Sequence, residues 1–145
     1  FKPNYSKISK DIDVNRKLVS DLMIYLEKAQ LINILRDNSF GISSLGKVEK
    51  IYLNNTNLSY ALVGDMTDIG NARETVFLSL LNPIYDITSS PYSDFIVDKK
   101  YTFELGGKNK KHKQIKDVKD SYLVKDDIEY GSANIVPLWA FGLLY

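Results

Sequence analysis

Residues 94–105 constrain the fold more than any other stretch of the chain. DFIV (94–97) and YTFEL (101–105) are short, strand-like apolar runs, separated only by the polar residues Asp98, Lys99 and Lys100. A connection that short predicts an antiparallel hairpin. It sets Asp94 on one strand and Glu104, flanked by Phe103 and Leu105, on the next. A carboxylate on an apolar run needs a partner or a metal once it is buried. Lysines then crowd GGKNKKHKQIKD (106–117). Two carboxylates on neighbouring strands, followed by a cationic segment, are the ingredients of a metal-dependent phosphodiesterase site.

The charge distribution singles out the same region. The net charge is only +1. Residues 1–98 hold 10 Lys/Arg against 12 Asp/Glu, residues 99–125 hold 9 Lys against 3 acids, and residues 126–145 hold three acids and no base. One basic patch on a nearly neutral body points to a polyanionic partner, with a solvated lysine-rich helix as the plain alternative. The single histidine, His112, lies in this polar run, so no histidine cluster for nucleophilic or metal chemistry can be built. The absence of cysteine excludes disulfides and thiolate zinc sites and fits a reducing cytoplasm. No apolar run approaches the roughly 18–20 residues that span a bilayer, so a cytoplasmic location without a membrane partner is expected. The chain opens on Phe1 rather than Met, as expected of a piece of a longer protein.

The first half carries a helix-helix-hairpin pattern. YSKISKDID (5–13) reads as a short helix capped by Asn4 or Ser6. A turn at Val14 and Asn15 leads to a longer helix from Arg16 to Ala29, with Leu18, Val19, Leu22, Tyr25, Leu26 and Ala29 on its apolar face. LINILR (31–36) and EKIYLNN (49–55) read as strands around a polar loop with glycines at 41 and 46. This is the order of a winged helix-turn-helix, in which Asn15, Arg16, Lys17 and Ser20 would face a DNA major groove and Lys47 and Lys50 would reach phosphates. Asp21 and Glu27 lie near the same face and argue against that contact, and winged helices also serve as protein-contact modules.

The second half reads as a small α/β unit. A short helix is expected over Leu58–Val63 and a longer one over 71–81, with Asn71 as its cap, Glu74 in its first turn and Pro83 as its stop. Strands are expected at 84–88, 94–97, 101–105, 121–124 and 135–139, with a basic helix over Lys111–Asp120. The apolar residues Trp139–Tyr145 are expected to dock on the sheet. The fold class is therefore α/β (α+β), with a winged-helix domain at 1–57 and a small α/β domain at 58–145.

KISKDIDVNRKLVSDLMIYLEKAQLI (7–32), KIYLNNTNL (50–58), FELGGKNKKHKQIKD (103–117) and IVPLWAFGLLY (135–145) together resemble the C-terminal region of a family of prokaryotic AAA-type ATPases. In that family a P-loop ATPase module precedes a winged helix and a domain resembling the PD-(D/E)xK restriction-endonuclease fold. The resemblance covers essentially the whole chain. It implies a nucleotide-binding half elsewhere: no GxxxxGK[ST] sequence is present, so ATP belongs to that module and no ATPase activity is expected here. It also implies that Glu74 is the helix Glu, Asp94 the strand Asp and Glu104 the motif Glu, which together hold Mg²⁺.

The lysine of that motif falls on Gly106, a departure in the residue closest to the chemistry. Lys108 would share a face with Glu104 if the strand continued, about 6.6 Å further along. The paired glycines at 106 and 107 more readily end or bend the strand. The resemblance places Gln114 near the site as well. Against these roles, Glu74 reads equally as a first-turn acid favoured by the helix dipole, and Asp94 as a strand opener. Lys110, Lys111, Lys113 and Lys116 are the expected phosphate contacts. The expected partners are DNA and the protein's own ATPase module, and the sequence leaves a homo-oligomer open. Two functions follow: a DNA-contacting module whose nuclease-like metal site is partly degenerate, or a catalytically silent regulatory module of the ATPase.

Overall fold

The chain opens with α1 (Tyr5–Asp11), capped by Asn4, and α2 (Arg16–Lys28), capped by Asn15, whose side chain accepts from the Leu18 amide at 2.8 Å. Such caps satisfy amides that have no partner inside the helix. The structure is a computed structural model that describes residues 1–37, 47–111 and 113–144. An antiparallel hairpin follows, β1 (Ile32–Arg36) and β2 (Val48–Leu53), and the expected loop glycines at 41 and 46 lie outside the described residues. The apolar face of α2 is only partly used. Val19 is buried, whereas Leu18, Leu22 and Tyr25 are exposed.

The hairpin joins the two halves of the chain. Its register pairs Leu35 with Lys50 and Asn33 with Tyr52, so these four side chains share a face. Leu35 and Tyr52, each 1% exposed, enter the same buried cluster as Phe77 and Phe95. Asn33 accepts from the Asn82 side chain and donates to Asn54, which satisfies its buried amide.

Next come α3 (Thr56–Val63), capped by Asn55, a 3₁₀ turn at Gly64–Met66, and α4 (Ile69–Leu81). Gly64 has a φ of 55°, a left-handed conformation that ends α3 without the steric cost of a side chain. The expected cap of α4 is corrected: Asp68 holds that place and accepts from the Asn71 amide at 2.6 Å. The helix therefore starts at Ile69, and Glu74 stands in its second turn, where the pull of the helix dipole fades.

The second unit is a five-stranded mixed sheet, β3 (Ile87–Ser89), β4 (Phe95–Val97), β5 (Tyr101–Gly106), β6 (Ser121–Lys125) and β7 (Ile135–Pro137), in that spatial order. The pairings β3–β4 and β4–β5 are antiparallel, and β5–β6 and β6–β7 are parallel. The expected hairpin forms across 98–100, where Asp98 and Lys99 adopt φ of 50° and 57° and the Lys100 amide donates to the Val97 carbonyl. α4 covers one face. The Phe77 ring lies 5.2 Å from Phe95, 5.1 Å from Phe103 and 4.9 Å from Phe141. Each fully buried ring contributes about 2–3 kcal/mol. Phe141 and Leu138 come from a 3₁₀ helix at Leu138–Leu143, so the C-terminal stretch packs on α4 and on Phe103.

Two further expectations are corrected. The strand expected at 84–88 shrinks to Ile87–Ser89, because the chain is still turning after Pro83, with the amides of Ile84 and Tyr85 bonded back to the Leu81 carbonyl. The basic helix expected over 111–120 does not form: the described residues between β5 and β6 make turns. Among its described residues that segment offers one fully buried side chain, Ile115, and no apolar face for a helix to bury. Like-charged lysines at helical spacing would oppose it further. Among the described residues no helix is long and apolar enough to cross a membrane.

Candidate acidic site between the hairpin, α4 and the sheet

The register of β4 and β5 pairs Phe95 with Phe103, and one step further sets Asp94 opposite Glu104. Strand alternation sends Phe103 and Leu105 into the core beneath α4 and Glu104 to the other face, while Asp94 stands just before β4. Glu104 is almost wholly buried, its side chain 3% exposed. Its Oε1 lies 2.5 Å from Lys110 Nζ, while its Oε2 is buried and meets no hydrogen-bond donor. Asp94 Oδ2 accepts from the Leu105 amide at 2.8 Å. Its Oδ1 lies 3.8 Å from Lys50 Nζ, which sits 3.0 Å from Glu74 Oε2. The Tyr52 hydroxyl donates to the same Glu74 oxygen.

Lys50, brought from β2, therefore spans Glu74 on α4 and Asp94 at the head of β4. Burial pushes the Asp94 carboxyl up from 3.8 to about 6. The Leu105 amide opposes this, the charges of Glu74 and Glu104 add to it, and Lys50 opposes it. Burial likewise raises the Tyr52 hydroxyl, and its hydrogen bond to Glu74 adds to the shift. A cleft of about 1090 Å³ opens over this group, lined among others by Lys50, Tyr52, Asn71, Glu74, Ser93 and Asp94. Glu104 is buried and does not line it.

Glu74, Asp94 and Glu104 gather at one end of the sheet, but not as three equivalent ligands. Among the described residues no group of three or more His, Asp or Glu side chains is set to hold a metal ion. Glu74 is taken by Lys50 and Tyr52, which leaves Asp94 and Glu104 as the remaining pair on the sheet. The structure does not bring Lys108 or Gln114 to them. β5 ends at Gly106, so Lys108 is exposed beside Asp126 and Trp139, its carbonyl accepting from Lys125 Nζ. Gln114 is exposed on the crossover.

Of the expected DNA contacts, Arg16 and Lys17 are exposed, Ser20 is half-buried, and the side chain of Asn15 is engaged in capping α2. Lys111, Lys113 and Lys116 are exposed, but Lys110 is turned onto Glu104. Lys47 pairs with Glu49 at 3.3 Å. His112 lies outside the described residues.

The site residues that sequence reasoning missed are Tyr52 and, in their present roles, Lys50 and Lys110. The alternation in KIY (50–52) was the available signal: residues 50 and 52 share a strand face, so both reach Glu74. No protein-family model matches the chain, and no curated protein or solved structure is significantly similar to it.

Proposed function

We propose that the chain is a nucleic-acid-contacting module that carries a metal-dependent phosphodiesterase site of the restriction-endonuclease type and works beside an AAA-type ATPase module. The observation that carries this reading is Glu104. A buried carboxylate oxygen without a donor costs about 1–3 kcal/mol or more, and Oε2 of Glu104 is such an atom, with the half-buried carboxylate of Asp94 at the head of the neighbouring strand. The donor set fits magnesium, which takes oxygen ligands and is often held by one or two carboxylates plus substrate phosphate. Asp94 and Glu104 would hold the ion. When bound, it would neutralise charge growing on the phosphate and acidify a water.

The chain's own residues do the rest. The Leu105 amide fixes Asp94, and the exposed Lys111, Lys113 and Lys116 offer phosphate contacts outside the site. In hydrolysis the water oxygen bonds to phosphorus, the bridging P–O bond breaks, the water's proton leaves to solvent and the departing alkoxide takes one up. The succession of two helices, a hairpin and a mixed sheet supports the same reading.

The test is calorimetric titration of Mg²⁺ and Mn²⁺ into the wild type and Glu104→Ala, with plasmid nicking on the same samples. Binding and nicking that both vanish in Glu104→Ala are expected. A wild type that neither binds nor nicks would leave a second reading, a nuclease-shaped docking module that serves the ATPase. One observation favours that alternative: Lys50 and Lys110 already place an ammonium against every one of the three carboxylates.

A further inference from the structure

Resting on that phosphodiesterase reading, we propose that Lys110 is the lysine of the site, delivered by the crossover turn across the bare backbone of Gly106. Gly106 is the last residue of β5, two positions beyond Glu104 and on the same face. A lysine rising there would reach the carboxylate, but the space above Gly106 is taken. A Cβ at this position would stand 2.5 Å from both Cβ and Cγ of Lys110 and 2.8 Å from its Cδ. These atoms are the root of the Lys110 side chain and not its free end, so they cannot swing aside without moving the turn.

The turn is held on two sides. The Lys110 amide donates to the Gly107 carbonyl at 2.9 Å, and the Gly106 carbonyl accepts from the Asp126 amide at 2.9 Å. Arg73, paired with Asp126 at 3.0 Å, packs so closely on Gly107 that a Cβ there would lie 3.2 Å from its guanidinium. The stem of Lys110 is thereby laid across Gly106, and Nζ reaches Oε1 of Glu104 at 2.5 Å. The Lys110 side chain is 33% exposed against 3% for Glu104, so it lies between the buried carboxylate and solvent. Lys108, Lys111 and Lys113, its neighbours in the same basic run, are exposed. The glycine and the lysine explain each other: the motif position is empty because a side chain from four residues on fills it.

As the water oxygen bonds to phosphorus and the bridging P–O bond breaks, charge grows on the non-bridging oxygens. The Lys110 ammonium, oriented by Glu104, donates to one of them and holds the water in line. Preorganised donors of this kind act without rearrangement at the moment of reaction.

The test moves the lysine. Lys110→Met, Gly106→Lys and the double variant Gly106→Lys/Lys110→Gly are compared with the wild type for plasmid nicking in Mn²⁺, calorimetric Mn²⁺ affinity and Tm. Lys110→Met is expected to lose nicking by about 100-fold or more, yet to bind Mn²⁺ at least as tightly, because the competing ammonium is gone. Lys110→Gln, which keeps a donor for Glu104, serves if the Met variant does not fold. Gly106→Lys alone loses nicking because two stems cannot share one space, and the double variant recovers it to within about 10-fold of wild type, a coupling expected only of side chains in one site.

A Lys110→Met chain that nicks like wild type while Glu104→Ala is dead would overturn the assignment and leave the site reading intact. So would a folded double variant no better than either single change. A wild type that neither binds Mn²⁺ nor nicks would sink the phosphodiesterase reading itself, and the assignment with it.

Discussion

Asp94 is under opposing demands. It accepts from the Leu105 amide, which favours its charge, but burial and two neighbouring carboxylates disfavour it, and the balance raises it from 3.8 to about 6. Between those values the folded chain keeps a proton that the unfolded chain has released. The stability from protonated Asp94 is therefore fully present below about pH 4 and is lost as pH rises through about 6. Asp94→Asn keeps an acceptor for Leu105 without the charge. It should raise the unfolding free energy at pH 8 by about 1–3 kcal/mol, leave it nearly unchanged at pH 4, and flatten the profile between. Urea unfolding at both pH values checks this, and parallel profiles for the two proteins would show that burial does not govern Asp94. The same substitution should weaken Mn²⁺ binding, the trade of stability against function common at acidic sites.

The described residues of the crossover between β5 and β6 make turns, and Ile115 anchors their middle. Ile115 is fully buried, and its carbonyl accepts from the buried Ser121 hydroxyl at 3.0 Å. Ile115→Ala should cost about 2–4 kcal/mol in urea unfolding and speed tryptic cleavage at the crossover lysines. An unchanged cleavage rate would mean that the turn around Lys110 is held by Arg73 and Asp126 alone. This element also marks the limit of what the sequence carried. The strands were legible because alternation and the short turn at 98–100 leave few alternatives, and the same turn fixed Asp94 opposite Glu104. The crossover was not, since lysine suits a helix well while the burial that decides the matter depends on one isoleucine and the sheet beneath it. The start of α4 was hidden by Gly70, which reads as a breaker although Asp68 caps the helix before it. The reach of Lys110 was illegible for a different reason: it depends on a turn closed by residues 73, 107 and 126, far apart in sequence.

At the scale of the whole molecule, the shared core of Leu35, Tyr52, Phe77 and Phe95 fixes the hairpin against the sheet. Lys50 from one half and Lys110 from the other thus meet one acidic site, and the exposed Lys111, Lys113 and Lys116 follow Lys110 along the crossover. A duplex drawn to these lysines by their charge would lie on the crossover, whereas one held by the N-terminus of α2 would engage a helix whose capping Asn15 is already committed. Lys111→Ala, Lys113→Ala and Lys116→Ala combined, with Lys110 left intact, should lower duplex affinity about 10-fold at low salt and reduce the salt slope by about 2–3. Arg16→Ala with Lys17→Ala should change both by less than half as much. Gel shifts across a salt series measure the two sets side by side. If the α2 pair dominates instead, the helices and not the crossover carry the nucleic acid, and the acidic site lies off its path. If neither set alters the slope, phosphate contact leaves the account, and the exposed Leu18, Leu22 and Tyr25 of α2 become the surface to follow, since apolar side chains left outside a core favour a protein partner.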